Sequence, residues 1–112
     1  MIVAVARIHA DRISDWETFH DEFNRVFQFP SFYGRNMNAW IDCMSSLDAP
    51  DEGMTGIHAA DGRVLTIEVE NAKLLRDSCP EQYAALVECT AFVNWRRIEQ
   101  GGSAVLALSY RI

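Results

Sequence analysis

Three short apolar segments, separated by stretches of helical periodicity, predict an α/β fold: a three-stranded parallel sheet packed with about four helices in the order β-α-α-β-α-α-β. The strand segments are Ile2–Ile8, Val64–Val69 and Ala104–Tyr110. Connections of this length and helical character exclude hairpins, and parallel strands joined this way take right-handed crossovers. The 112 residues, 49% of them apolar, suit a single domain over residues 1–112 with one core.

Ile2–Ile8 is nearly continuously apolar, the pattern of a strand buried on both faces. Ser14 and Glu17 have capping-box spacing and open a first helix, whose stripe is Trp16, Phe19, Phe23, Val26 and Phe27. Pro30 forbids its continuation. A second helix is predicted over about Arg35–Leu47. Asp48–Gly62 holds Pro50, Gly53, Gly56 and Gly62 with little periodicity and is expected to be a loop. Val64–Val69 alternates, with Leu65, Ile67 and Val69 on one side. Asn71 is placed to cap a short helix through about Asp77. Pro80 opens a longer one to about Glu99, which Gly101-Gly102 ends.

A net charge of −6 and a pI near 4.9 argue against binding nucleic acid or an anionic membrane, and favour fast encounter with a basic protein. Cys79 and Cys89 lie ten residues apart on one predicted helix, about 15 Å, too far for a disulfide. Reduced thiols and a cytoplasmic setting are therefore expected. Met1–Ile8 is too short an apolar run for a membrane span or signal peptide.

Little in the chain points to catalysis. His9, His20 and His58 are scattered, and no Cys or His pair has zinc-ligand spacing, so neither a metal nor a cofactor is expected. His20 follows Trp16 by four residues and reads as a packed histidine. Cys43 sits with Ala39 and Ser46, small residues that suit close packing. Gly101-Gly102 lacks a phosphate-cradling pattern. Asp15, Glu17, Asp21 and Glu22 read as first-turn charges and a solvated face, although they leave room for a carboxylate pair. Arg96-Arg97 suits a helix C-terminus, and Phe92, Trp95 and Ile98 read as core or helix-packing residues.

The segment Phe29–Met44 is the most distinctive. An aromatic turn (Phe32, Tyr33, Gly34) runs into a two-faced helix with Met37, Trp40, Ile41, Met44 and Leu47 on its apolar stripe. Asn38, Asp42 and Ser45 fall on the opposite side, toward solvent. Spacing alone leaves two readings open: a surface presented to a partner, or a polar face that merely solubilises the helix.

The run Phe-Pro-Ser-Phe-Tyr-Gly-Arg-Asn-Met-Asn-Ala-Trp-Ile-Asp-Cys-Met resembles the aromatic loop and second helix of the barstar family, small intracellular inhibitors of barnase-type ribonucleases. Pro30, Phe32, Tyr33, Gly34 and Asn36 match the family's Pro-x-aromatic-Tyr-Gly-x-Asn core, and Asp42-Cys43 matches its Asp-Cys pair. The element order agrees too, so the resemblance covers most of the chain and implies a barstar-like fold. It implies that the loop and second helix occlude a nuclease's basic cleft, with Asp42 standing where a substrate phosphate would. Phe32 replaces a tyrosine contact, Asn38 a second interfacial aspartate and Ile41 an interfacial tryptophan. Where the family has an acidic contact before the last strand, this chain has Arg96 and Arg97.

The expected partner-binding set is Phe32, Tyr33, Gly34, Arg35, Asn36, Asn38, Ile41, Asp42, Ser45 and Asp48. The expected activity is a non-enzymatic, antitoxin-type inhibitor of a basic ribonuclease or related nuclease. The alternatives are an adaptor for a non-nuclease protein and, less favoured, a small enzyme. For the Asp48–Gly62 loop two readings stand: Asp48, Asp51 and Glu52 extend the acidic face, or the segment is a solvated insertion without a role.

Overall fold

Alternation in Leu65–Glu70 sets the architecture: Leu65, Ile67 and Val69 are buried, while Thr66, Glu68 and Glu70 are half-buried on the other face. In the computed structural model, which describes residues 1–112, this segment is the central strand. The elements are β1 (Val5–His9), α1 (Trp16–Phe27), α2 (Met37–Met44), β2 (Leu65–Glu70), α3 (Ala72–Ser78), α4 (Pro80–Glu99) and β3 (Leu106–Tyr110). The three strands pair in parallel, as the sequence predicts, and lie in the order β1-β2-β3. The register aligns Ala6, Ile67 and Leu108 in one row and Ile8, Val69 and Tyr110 in the next.

The first strand is not buried on both faces. Ile2 is 66% exposed and only bridges His58, and regular pairing begins at Val5. From there Ala6 and Ile8 are buried while Val5, Arg7 and His9 are exposed. The helices cover one face, and the other carries a charge ladder instead of a second helical layer. Arg7 meets Glu68 at 3.1 Å and Arg111 meets Glu70 at 3.7 Å.

The aromatic stripe of α1 forms the core expected of it. Phe19, Phe23 and Phe27 are fully buried, and Phe23 meets the equally buried Trp40 edge-on at 5.7 Å. Truncating a buried ring of this kind to alanine costs about 3–5 kcal/mol.

Two expectations for α1 are corrected. Its cap is Asp15, not Ser14: the Asp15 carboxylate accepts the Thr18 N–H (2.8 Å) while the Thr18 hydroxyl accepts the Asp15 N–H (3.0 Å). Thr18 therefore fills the return position of the capping box that the spacing assigned to Glu17. Glu22 is not on a solvated face. It is 2% exposed and accepts the His9 N–H (2.8 Å) and two Arg25 donors (2.9 and 2.7 Å), which fastens α1 to the end of β1.

Asn71 precedes α3 in a left-handed conformation (φ 58°) and its side chain makes no cap, so the predicted capping role is also corrected. Pro80 opens α4, and Gly101 at φ 86° follows its end as predicted. Phe92, Trp95 and Ile98 are 42%, 56% and 56% exposed, not core residues. The inward face of α4 is taken by Gln82, Leu86, Thr90 and Val93, which repeat at the same helical spacing. Two stripes competed for the core, and the smaller side chains lie against it.

Asp48–Gly62 is an ordered part of the scaffold. After a 3-10 turn at Pro50–Glu52, Thr55, Ile57 and Ala59 are buried. The Gly56 N–H bonds Phe27 O (2.9 Å), the Ala59 N–H bonds Leu47 O (3.0 Å), and the His58 N–H bonds Met1 O (2.8 Å). A side chain at Gly56 would collide with that of Gln28. This half of the segment is thus neither a solvated insertion nor an acidic surface.

Candidate protein-binding face

The entry to α2 is fixed by two residues. Arg35, not Gly34, takes the left-handed conformation (φ 54°) that turns the chain. That conformation costs a non-glycine residue roughly 1–2 kcal/mol. It is held because the Arg35 guanidinium reaches α1, donating to Asp21 (2.7 Å) and to Glu17 O (3.0 Å). Asn36 then caps α2, its side-chain oxygen accepting the Ala39 N–H at 2.8 Å. The helix begins at Met37, two residues later than expected.

Along α2 the predicted faces are realised. Trp40, Met44 and the following Leu47 are fully buried, Met37 and Ile41 are half-buried, and Asn38 and Asp42 are exposed. Ser45 departs from the pattern: it is half-buried, and its hydroxyl donates to Ile41 O (2.6 Å) and accepts from Arg96 (2.7 Å). Cys43 is buried, and burial pushes its thiol up to about 11, so it is a protonated packing group.

The aromatic loop before α2 divides into an anchor and a tip. Tyr33 stacks on Phe29 with centroids 4.4 Å apart, and its hydroxyl bonds His20 Nδ1 at 2.6 Å. Burial pushes the Tyr33 phenol upward. Phe32 points away and is 74% exposed, the one fully outward ring in the loop.

His20 makes this anchor sensitive to acid. Burial, reinforced by the nearby Arg35 cation, holds its imidazole down at about 4 from an ordinary 6.5. A histidine depressed on folding stabilises the fold fully above its unfolded value and loses that contribution as the pH falls toward the folded one. The window is therefore about 6.5 down to about 4. Between about pH 7 and about pH 5, the chain is expected to lose on the order of 2 kcal/mol through this group. The urea midpoint of His20→Asn should fall less steeply over that interval than the parent's. Equal slopes would mean that His20 is not the titrating group.

The exit of α2 is fixed from α4. Arg97 donates to Ser45 O (2.7 Å), to Ser103 O (2.8 Å) and to both Asp48 oxygens (3.0 and 2.6 Å). The Arg97 bonds hold the Asp48 carboxylate below the usual carboxylate range. The arginine pair thus does more than complement its own helix dipole: it staples the end of α2 to α4. Asp48 is a partner in that staple, and its charge is matched within the fold. Arg96 lies 3.5 Å from Asp42, whose side chain stays 63% exposed, and its guanidinium sits over the Phe92 ring at 5.8 Å.

The predicted set therefore separates into two roles. Phe32, Asn38, Ile41 and Asp42 form the outward surface. Tyr33, Arg35, Asn36, Ser45 and Asp48 hold that surface in place, while Gly34 lies exposed at the turn. Arg96 adjoins Asp42, with the Phe92 ring against its guanidinium, and both were absent from the set. The departure from the family's acidic pattern pointed to Arg96, and no sequence signal pointed to Phe92. The outward face is consequently close to neutral, with one exposed carboxylate facing one guanidinium, although the chain is acidic overall.

No helix is long and apolar enough to cross a membrane. No curated protein matches the chain. A family model described as Barstar (barnase inhibitor) matches residues 3–107, nearly the whole length and all of the face described above, and the chain belongs to the barstar family.

Proposed function

We propose that the chain is a non-enzymatic, antitoxin-type inhibitor that occludes the active site of a basic ribonuclease or related nuclease in the cytoplasm, acting as one domain over residues 1–112. The observation that carries this reading is the outward continuity of Phe32, Asn38, Ile41 and Asp42 on a backbone fixed at both ends, in a member of an inhibitor family. A rigid, preformed face binds without an ordering cost. Asp42 supplies the carboxylate for a cationic cleft, while the overall negative charge steers encounter. The partner is a protein, and recognition uses no nucleic-acid contact, membrane or cofactor.

The Arg96–Asp42 pair favours a second reading, an adaptor for a non-nuclease protein, because an internal cation competes for the carboxylate. Immobilised chain incubated with native lysate should retain an RNA-cleaving activity, and added free chain should suppress that activity stoichiometrically. Recovery of a bound protein without ribonuclease activity would favour the adaptor.

A further inference from the structure

The β1–β2 ladder opens at its beginning. Its first rung is Thr66 N–H to Ala4 O (2.9 Å), and the chain before that turns to a different partner. Val3 N–H bonds His58 O (2.9 Å), and His58 N–H bonds Met1 O (2.8 Å). The rungs that would continue the ladder are missing: Ile2 O, Ala4 N–H and both main-chain groups of Val64 have no partner in the chain. Beside this gap lies a recess of about 480 Å³, the largest in the molecule, lined by Ile2, Val3, Ala4, Ala60, Arg63 and Val64. Its volume suits a small ligand or a few residues of peptide.

Three kinds of group meet there. Ile2 and Val64 hold their apolar side chains in solvent, 66% and 43% exposed. Unbonded N–H and C=O groups belong to both walls. The third group is a cation, Arg63, brought back to the recess by the tight turn from Ala60. In that turn Arg63 N–H bonds Ala60 O (3.0 Å) and Gly62 takes φ 72°. Arg63 is also the one arginine of the chain without a carboxylate partner, and exposed Asp61 does not pair with it.

We propose that this recess takes the carboxyl-terminal end of a peptide chain whose last residue is apolar. The terminal carboxylate meets Arg63, and the last side chain packs on Ile2 and Val64. The main chain of the incoming peptide supplies both donors and acceptors, as a strand added to a sheet does, and so matches the groups that the opened ladder leaves free. A fatty acid would satisfy the cation and the apolar walls but leave Ile2 O and Val64 O to water. Phe32, Asn38, Ile41 and Asp42 are not part of the recess, so the site stands independently of the inhibitor reading.

Titration of the isotope-labelled full chain with the tetrapeptide Gly-Gly-Val-Ile, followed at the amide resonances of Ala4 and Val64, tests this. Saturable shifts at both are expected with the free carboxylate. The same peptide closed as a carboxamide should bind about tenfold more weakly, the scale of one hydrogen bond to a charged group. Arg63→Gln should weaken binding of the free acid by a similar factor. Arg63 is exposed, so this variant should keep the parent's thermal midpoint. Phe32→Ala should bind the peptide as the parent does. Shifts that do not saturate at millimolar peptide would overturn the proposal, as would equal affinity for the carboxamide. Decanoate binding more tightly than the peptide would overturn it too, and would assign the recess to an amphiphile.

Discussion

Replacing Glu22 by alanine is expected to cost about 2–3 kcal/mol of folding stability, the upper part of the range for leaving a buried backbone donor without its acceptor. The Glu22 side chain is 1% exposed, while its partner Arg25 remains 45% exposed. The carboxylate also accepts the His9 N–H, so its loss strands a backbone donor at the end of β1, while the freed guanidinium remains hydrated. The asymmetry between partners sharpens the test. Arg25→Ala should cost at least as much, because it leaves a carboxylate that is 1% exposed without its closest cation. The carboxylate would keep only the His9 N–H and Arg12 at 4.0 Å. Urea midpoints of the two variants measure both costs. A Glu22→Ala variant within about 1 kcal/mol of the parent would show that the carboxylate does not hold α1 to the sheet.

Asp42→Ala should act on binding and spare the fold. In a largely desolvated nuclease cleft, removing this carboxylate leaves the partner's cations unpaired, a loss of about 2–5 kcal/mol in affinity. That range is the general one for truncating one partner of a buried interfacial charge pair, and barnase with barstar is its standard example. Stability should change by no more than about 0.5 kcal/mol, since the only internal partner is Arg96 across an exposed pair. The complementary variant Arg96→Ala frees Asp42 from its internal cation, so affinity for a cationic cleft should rise. Unchanged affinity in Asp42→Ala, with stability lost, would make Asp42 a structural residue.

Period and punctuation made the fold legible. The alternation at Leu65–Val69, the proline and glycine stops and the α1 stripe each left one solution. Where two residues or two stripes offered the same spacing, the sequence did not decide. The spacing points to Ser14 as the α1 cap where Asp15 holds that position, and to Phe92, Trp95 and Ile98 as the packed face of α4 where Leu86, Thr90 and Val93 lie. Glu22 was misjudged because its burial depends on β1 arriving beside it, which no local pattern records. In the candidate face the exposed members, Asn38 and Asp42, were readable from helical angle. Contacts between distant segments were not: Arg97 with Asp48, Arg96 with Ser45 and His20 with Tyr33 join residues far apart in the chain.

The backbone of α2 is held at its start by the Asn36 cap and at its end by Arg97, while Trp40 and Met44 root it from beneath. None of these supports passes through Phe32, Asn38 or Asp42, whereas half-buried Ile41 also packs against the core. Phe32, Asn38 and Asp42 can therefore change identity one at a time without dislodging the platform beneath them. Partner preference can therefore change through a series of variants that all stay folded. The same separation makes these positions a natural site for randomisation in the laboratory, with the scaffold held constant and new specificities selected on it.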